Sequence, residues 1–269
     1  MPEPALSIRA SWALHAAAAI GVIVRPNLWP WMLGTVIADH LVLTAAGLWP
    51  KSTLLGPNWT RLPQSAANSA AVAITIDDGP DPDITPEVLD VLARHNTTAT
   101  FFCVGERVAR YAELSREIVR RGHAIENHSQ RHLNRFSVLG PRAMREEIER
   151  AQNTIAAVTG ELPRFFRAPA GLRNPFLEPA LARLKLQLAS WTRRGFDTVN
   201  RDPRSVFTKL TRGLAARDIL LLHDGHAAQT AAGTPVVLEV LPRLLKAVAA
   251  AELRPVTLRA ALPENTVPA

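Results

Sequence analysis

The sequence predicts an α/β protein: a distorted (β/α)7 barrel preceded by an N-terminal membrane helical hairpin. Three observations carry the prediction. Seven short apolar segments from residue 70 onward alternate with stretches that carry helix start signals, which implies right-handed βαβ units and a mostly parallel sheet. The residues with conspicuous chemistry fall where those strands end, the face on which a barrel of parallel strands keeps its active site. Ahead of all this, Ser11 to Trp49 is almost continuously apolar.

The apolar stretch is broken once, at Arg25-Pro26-Asn27. Its first piece, Ala10–Val24, is short for a span, since crossing a bilayer takes about 20 residues. Its second, Leu28–Trp49, is long enough and carries Asp39 and His40. Trp29, Trp31 and Trp49 stand near its ends, as interfacial anchors do. Residues 1–56 are therefore read as a hairpin that meets the membrane through residues 10–49; a signal peptide is the competing reading. Both ends of a hairpin lie on one side. That side carries Arg9, Lys51 and Arg61 against Arg25 at the turn, which favours the cytoplasmic face of a bacterial inner membrane, with the periplasmic face as the alternative.

Residues 57–69 are polar, proline-bearing and unpatterned, and read as a linker. The catalytic domain is assigned to 70–260 and a tail to 261–269. Expected strands are Ala70–Ile76, Ala99–Val104, Ala124–Glu126, Arg164–Arg167, Leu186–Trp191, Asp218–Leu222 and Arg254–Thr257. Helices are expected from Thr85-Pro86 and over Ala112–Arg121, Pro141–Val158, Phe176–Leu184, Arg204–Ala215 and Val236–Ala251.

Composition narrows the function. The 269 residues are 47% hydrophobic, enough for a sizeable core. The single cysteine, Cys103, excludes an intrachain disulfide and sits in an apolar strand, as a buried structural thiol would. The net charge of +7 is spread along the chain, without a Lys/Arg run or interleaved aromatics, so nucleic acid is excluded as partner. A positive balance suits an anionic membrane or an anionic lipid-linked substrate better.

In Thr75-Ile76-Asp77-Asp78-Gly79-Pro80, two carboxylates stand side by side where a buried strand gives way to a turn. Burying a carboxylate is costly without a partner, and a metal ion is the simplest one. Downstream, His128-Ser129-Gln130-Arg131-His132 places two imidazoles at i and i+4, on one face if the segment is a turn of helix. Two histidines and one carboxylate make a three-ligand site with a position open for water, which favours zinc, with cobalt, nickel or iron as alternatives.

Three further segments complete the pattern: Arg167-Ala168-Pro169-Ala170-Gly171, Trp191-Thr192-Arg193-Arg194-Gly195-Phe196-Asp197, and Leu220-Leu221-Leu222-His223-Asp224. In order and spacing the motifs T-I-D-D-G, H-S-Q-R-H, R-A-P-A-G and L-L-H resemble the polysaccharide deacetylases of the NodB-homology type, carbohydrate esterase family 4, over roughly residues 70–258. The resemblance implies that Asp78, His128 and His132 hold the metal, that Asp77 is the general base and that Arg167 pairs with it. It implies His223 as general acid, Leu221 as the wall for the acetyl methyl and the backbone N–H of Ala170 as oxyanion donor. Two motifs depart from the family. Ala170 stands where an aromatic residue is common, opening one wall of the groove. The fourth motif, usually W-S-x-D-x-x-D-W, has Arg194 in place of the aspartate that tunes the acid and Thr198 in place of the final tryptophan, so that Asp197 is left to support His223.

The resulting expectation is metal-dependent removal of an N-acetyl group from an amino sugar in a glycan. The hairpin favours a lipid-linked one, such as a polyprenyl-phosphate sugar. Alternatives are a deformylase acting on a lipid-linked amino sugar, a sugar-binding module that has lost turnover through the Arg194 change, and a membrane assembly factor whose working part is the hairpin.

Overall fold

The computed structural model describes residues 4–262; the expected tail lies outside them from residue 263 on. Helices α1 (Leu6–Val24) and α2 (Trp29–Leu48) run antiparallel through a 3-10 turn at Pro26–Leu28. At 19 residues, α1 starts earlier than the apolar run suggested and reaches about 28 Å, close to a hydrocarbon core. Their apolar side chains point outward almost all round: Ile20, Ile23, Leu33 and Leu41 are exposed. The polar groups turn toward one another instead, with the Ser11 hydroxyl on Asp39 Oδ2 at 2.6 Å and His15 Nε2 3.3 Å from His40 Nε2.

The barrel then follows in order: β1 (Ala71–Asp77), α3 (Thr85–Arg94), β2 (Thr100–Cys103), α4 (Gly105–Arg110), α5 (Ala112–Arg120), β3 (Ala124–Asn127), α6 (Pro141–Thr159), β4 (Phe165–Phe166), α7 (Leu177–Arg183), β5 (Gln187–Leu188), β6 (Arg193–Arg194), α8 (Pro203–Thr211), β7 (Ile219–His223), α9 (Val236–Ala250) and β8 (Arg254–Val256). The seven expected strands are present, with β4 and β5 shortened to two residues each. The eighth, β6, has no apolar signal. It exists because it pairs with β7, Arg193 beside Leu220 and Arg194 beside Leu221. The short α4 was likewise not expected. Helix ends follow local chemistry: proline opens α3 and α6, Gly160 in the left-handed region closes α6, and the Asp202 carboxylate accepts from the N–H groups of Arg204 and Ser205 at the head of α8.

All strand pairs are parallel, in the spatial order β5-β4-β3-β2-β1-β7-β6, with β8 also on β1. The period-two alternation of a strand decides which face each residue takes. In β1, Val72, Ile74 and Ile76 pack outward with the Val88, Leu89 and Leu92 of α3 and the Val240, Leu241 and Leu244 of α9. Ala71 and Ala73 pack inward with Phe102, Phe165 and Leu221. Asp77, in phase with Ala71 and Ala73, therefore enters the barrel interior. Its register partners are Phe102 on β2 and His223 on β7.

The segment 57–69 is no free linker. Trp59 bridges to Ala189, just past β5, and Arg61 bridges to Asp218, just before β7. Leu62 is fully buried in the inner core. The segment thus laces the two sides of the sheet together at its open seam. The hairpin is joined to the same region: the Arg173 N–H donates to Gly47 O at 3.1 Å, Ser190 Oγ to Pro50 O at 2.6 Å and Lys51 Nζ to Thr192 O at 2.6 Å.

Candidate active site

Asp77 is buried, and its Oδ1 accepts from Arg167 Nη1 at 2.6 Å. Arg167 is 1% exposed and completely tied: it donates to Thr75 Oγ1, Ala189 O and Ser190 O as well, and its guanidinium lies 4.0 Å from the centre of the Phe102 ring. Burial pushes its pKa down, and the Asp77 charge opposes that. The arginine therefore fixes one carboxylate oxygen and leaves Oδ2 directed to the side where His128 Nε2 lies, 3.9 Å away.

Asp78 turns the other way. Its φ of 74° is in the left-handed region, uncommon for a residue with a Cβ. Space for this turn comes from Gly79 and Gly225: a Cβ on the first would meet the Asp224 carboxylate at 2.5 Å, and one on the second the Asp78 carbonyl oxygen at 2.3 Å. Asp78 Oδ1 then lies 3.1 Å from both His128 Nε2 and His132 Nε2. Burial alone would raise its pKa, but hydrogen bonds from His128, His132 and His226 hold the carboxyl well below the usual range.

The two histidines do not converge on a turn of helix, as their spacing suggested. They lie in a loop after β3 in which Ser129 and His132 both have positive φ, 66° and 49°. The loop is held from below: Asn127 Oδ1 accepts from Ser129 N at 2.9 Å, and Ser129 Oγ from His132 N at 3.1 Å. His128 Nδ1 lies 2.9 Å from Arg167 O, a contact that fixes the ring with Nε2 toward Asp78.

One carboxylate oxygen and two imidazole nitrogens thus lie within 4.8 Å of one another, on buried or half-buried residues. Bonds of ~2 Å in tetrahedral directions put donors ~3.3 Å apart, so the set fits a divalent ion such as zinc. The Arg167 carbonyl gives His128 the outer partner that a metal-bound histidine requires.

Across the cleft, His223 ends β7. Its Nδ1 is 2.9 Å from Asp197 Oδ1, and its backbone N–H donates to Asp197 Oδ2 at 2.7 Å. Burial lowers the imidazole pKa; the Asp197 charge and hydrogen bond, with Asp77 and Asp78 beyond, outweigh that and raise it. Arg194 leaves this task to Asp197 and lies over Trp191 and Phe196, 5.3 and 5.0 Å from the ring centres. Asp77, Asp78, His128, His132, Ala170, Leu221 and His223 all line one cleft of about 280 Å³; Arg167 and Asp197 stand behind it, hydrogen-bonded to Asp77 and His223.

Sequence reasoning missed three groups. His226 lines the cleft with its Nδ1 3.5 Å from Asp78 Oδ2, and the H-x-x-H spacing from His223 was the available signal. Trp191 forms a wall. Asp224 is fully buried behind Gly79, and burial pushes its carboxyl up to about 7 even though Thr85 and the Gly225 N–H hydrogen-bond it.

Comparisons with known proteins converge on one family. The model of the polysaccharide deacetylase family matches residues 64–189. A peptidoglycan-N-acetylglucosamine deacetylase of Bacillus cereus is 34% identical over 183 residues, 66% of this chain and 84% of that protein. A chitooligosaccharide deacetylase of Bradyrhizobium is 34% identical over 161 residues, 60% of this chain and 73% of that one. Among solved structures, a family 4 carbohydrate esterase from Streptomyces lividans in complex with acetate aligns with a TM-score of 0.63 and 30% identity, covering 69% of this chain and 91% of its own. A family 4 pseudoenzyme from Bacillus anthracis has the same fold, with a TM-score of 0.66 at 22% identity, covering 74% of this chain and 67% of its own. With its parallel barrel, its Asp-His-His cluster and relatives matched over most of their length, the chain belongs to the polysaccharide deacetylase family.

Proposed function

We propose that this protein is a metal-dependent hydrolase that removes the N-acetyl group from an amino sugar of a glycan, and that the glycan is lipid-linked and met at the membrane. One observation carries the first part. A tied carboxylate (Asp77 on Arg167) and a tied imidazole (His223 on Asp197) face a single cleft that also holds a three-ligand cluster. Asp78, His128 and His132 would hold a divalent ion, with zinc favoured by this ligand set. When bound, such an ion polarises the amide carbonyl and lowers the pKa of water.

The chain's own residues supply the rest. Asp77, with Oδ1 occupied by Arg167, takes the proton of the attacking water on Oδ2. The water oxygen bonds to the carbonyl carbon, the C–N bond breaks, and His223 gives its proton from Nε2 to the departing amine. Asp197, on the opposite nitrogen, holds that tautomer and favours the charged ring. The N–H of Ala170, in a turn with φ of 54°, is the backbone donor for the oxyanion, and Leu221 receives the methyl group. The peptidoglycan and chitooligosaccharide named for the relatives support N-acetylated glucosamine glycans as the substrate class.

The membrane part rests on two helices long and apolar enough to cross, carrying outward-facing apolar side chains and fastened beside the cleft. The test is release of acetate and of formate from N-acetylglucosamine oligomers and from polyprenyl-phosphate-linked N-acyl sugars, by the full chain reconstituted with zinc. Acetate release abolished by Asp77→Asn supports the reading. Formate release alone replaces it with a deformylase, and release of neither overturns it.

A further inference from the structure

A second cleft, of about 490 Å³, lies between the hairpin and the barrel. Resting on the lipid-linked reading above, we infer that it is a binding site for a polyisoprenyl phosphate, with the phosphate on Arg173 and the hydrocarbon chain along the inner faces of α1 and α2.

The walls are mainly apolar: Ile8 and Trp12 from α1, Leu43 and Leu48 from α2, and Val138 and Phe176 from the barrel. Val138 is 78% exposed, Trp12 61% and Leu48 60%, so the cleft is open along its side and a chain can enter it laterally. Its floor is charged. Arg173 is 5% exposed. One guanidinium nitrogen donates to Ser52 O, while Nε has no partner. Among the described residues Arg173 makes no ion pair; Glu178 acts on it only through space. Asp39, the only acid in the helical pair, is bound to Ser11 Oγ and does not line the cleft.

A cation sunk beneath apolar walls, with Glu178 acting on it only through space and no carboxylate in contact, gains from a ligand that brings an anion to it. The ligand that satisfies both surfaces is an amphiphile with an anionic head, and the guanidinium fork suits phosphate in particular. The place of Arg173 in the chain selects among such amphiphiles. It follows by two residues Gly171, which lines the catalytic cleft, so their Cα atoms are at most about 7 Å apart. A phosphate held at Arg173 therefore leaves whatever sugar it carries at the edge of the catalytic cleft. A bulk phospholipid would occupy that position without presenting anything to the site.

The experiment uses the full chain in detergent micelles and a polyisoprenyl phosphate without sugar, with binding read by native mass spectrometry and by fluorescence titration. The expected result is saturable binding of one molecule per chain. The dephosphorylated polyisoprenol should bind more weakly by on the order of tenfold or more, the worth of one charge-assisted contact. Arg173→Gln should weaken binding to a similar degree. Because Arg173 also ties the hairpin to the barrel, a second variant avoids it: Thr44→Trp, on an exposed wall position, fills the cleft and should weaken binding equally with an unchanged melting temperature. Equal affinity for the alcohol, undiminished binding by Thr44→Trp, or equal competition by phosphatidylglycerol would each overturn the inference, the last by making the occupant a bulk lipid. Acetate release from soluble oligomers is measured on the same samples. Its absence beside intact lipid binding strikes the deacetylase reading, and its presence without lipid binding strikes only the cleft.

Discussion

Asp77 and His223 both line the cleft, and each is held from behind by one charged partner. Arg167 is fully enclosed and fixes one oxygen of Asp77, the proposed base; Asp197 raises the pKa of His223, the proposed acid, and so favours its protonated form. Asp77→Asn and His223→Ala should each lower kcat by about 10²-fold or more while leaving the metal in place, checked by steady-state kinetics alongside metal analysis. Loss of metal from either variant would make that residue a ligand instead. The pH profile tests Asp197. The His223 pKa is raised, so its proton, and with it the activity, is lost as pH rises through that value. Asp197→Asn removes the largest raising influence and leaves burial, which lowers the pKa. The alkaline limb of the kcat profile should move to lower pH, and an unmoved limb would count against the pairing. Much of this was legible in the sequence, because metal and proton chemistry allow few residue types and those types stood at strand ends. His226 and Trp191 were not legible, since their part depends on loops folding back over the cleft.

Asp77 and His223 end paired strands, whereas the two histidines lie in an irregular loop held by side-chain hydrogen bonds. The His128–His132 loop shows why spacing misled: i and i+4 fits a helix, but positive φ at Ser129 and His132 brings the same two rings together in an open loop. Nothing in H-S-Q-R-H announces that backbone, and the capping partner, Asn127, precedes it on β3. Asp78→Ala or His128→Ala should remove both metal and activity, measured by elemental analysis of purified protein. Full turnover in excess chelator would contradict the metal site itself. The turn after β7, where Asp224 packs on Gly79, has a thermodynamic signature as well. Folded Asp224 keeps its proton to about pH 7, whereas an unfolded aspartate releases it near ~3.9. The folded state binds the extra proton, so this contribution to stability is complete below the unfolded value and is lost as pH rises toward 7. Melting temperature against pH should therefore fall less steeply between pH 4 and 7 in Asp224→Asn than in the parent; parallel curves would refute it.

At the scale of the whole molecule, the alternation of strands and helices and the apolar hairpin could be read directly, because each is a local periodicity. The seam could not. Residues 57–69 look like a tether because their partners are far away in the chain, Thr60 O accepting from Thr192 Oγ1 132 positions on. We propose that the hairpin holds the barrel on the cytoplasmic side, the side that Arg9, Lys51 and Arg61 against Arg25 favour. Fusions at Ala269 should give a fluorescent green fluorescent protein and an inactive alkaline phosphatase; the reverse pattern would put the catalytic domain outside.

In the proposed membrane-held form, the laced seam changes the mechanics. A flexible leash the length of residues 57–69 would let the barrel wander over about 20 Å and tumble as it went. Trp59, Arg61 and Leu62 are instead part of the barrel wall, and Pro50 and Lys51 are bonded to it where the hairpin ends. In a bilayer the cleft would ride at one altitude and one attitude, like a tool on a rigid arm. Glycans would then be sorted by the height at which their acetamide is carried, before any contact with the metal ligands discriminates among them.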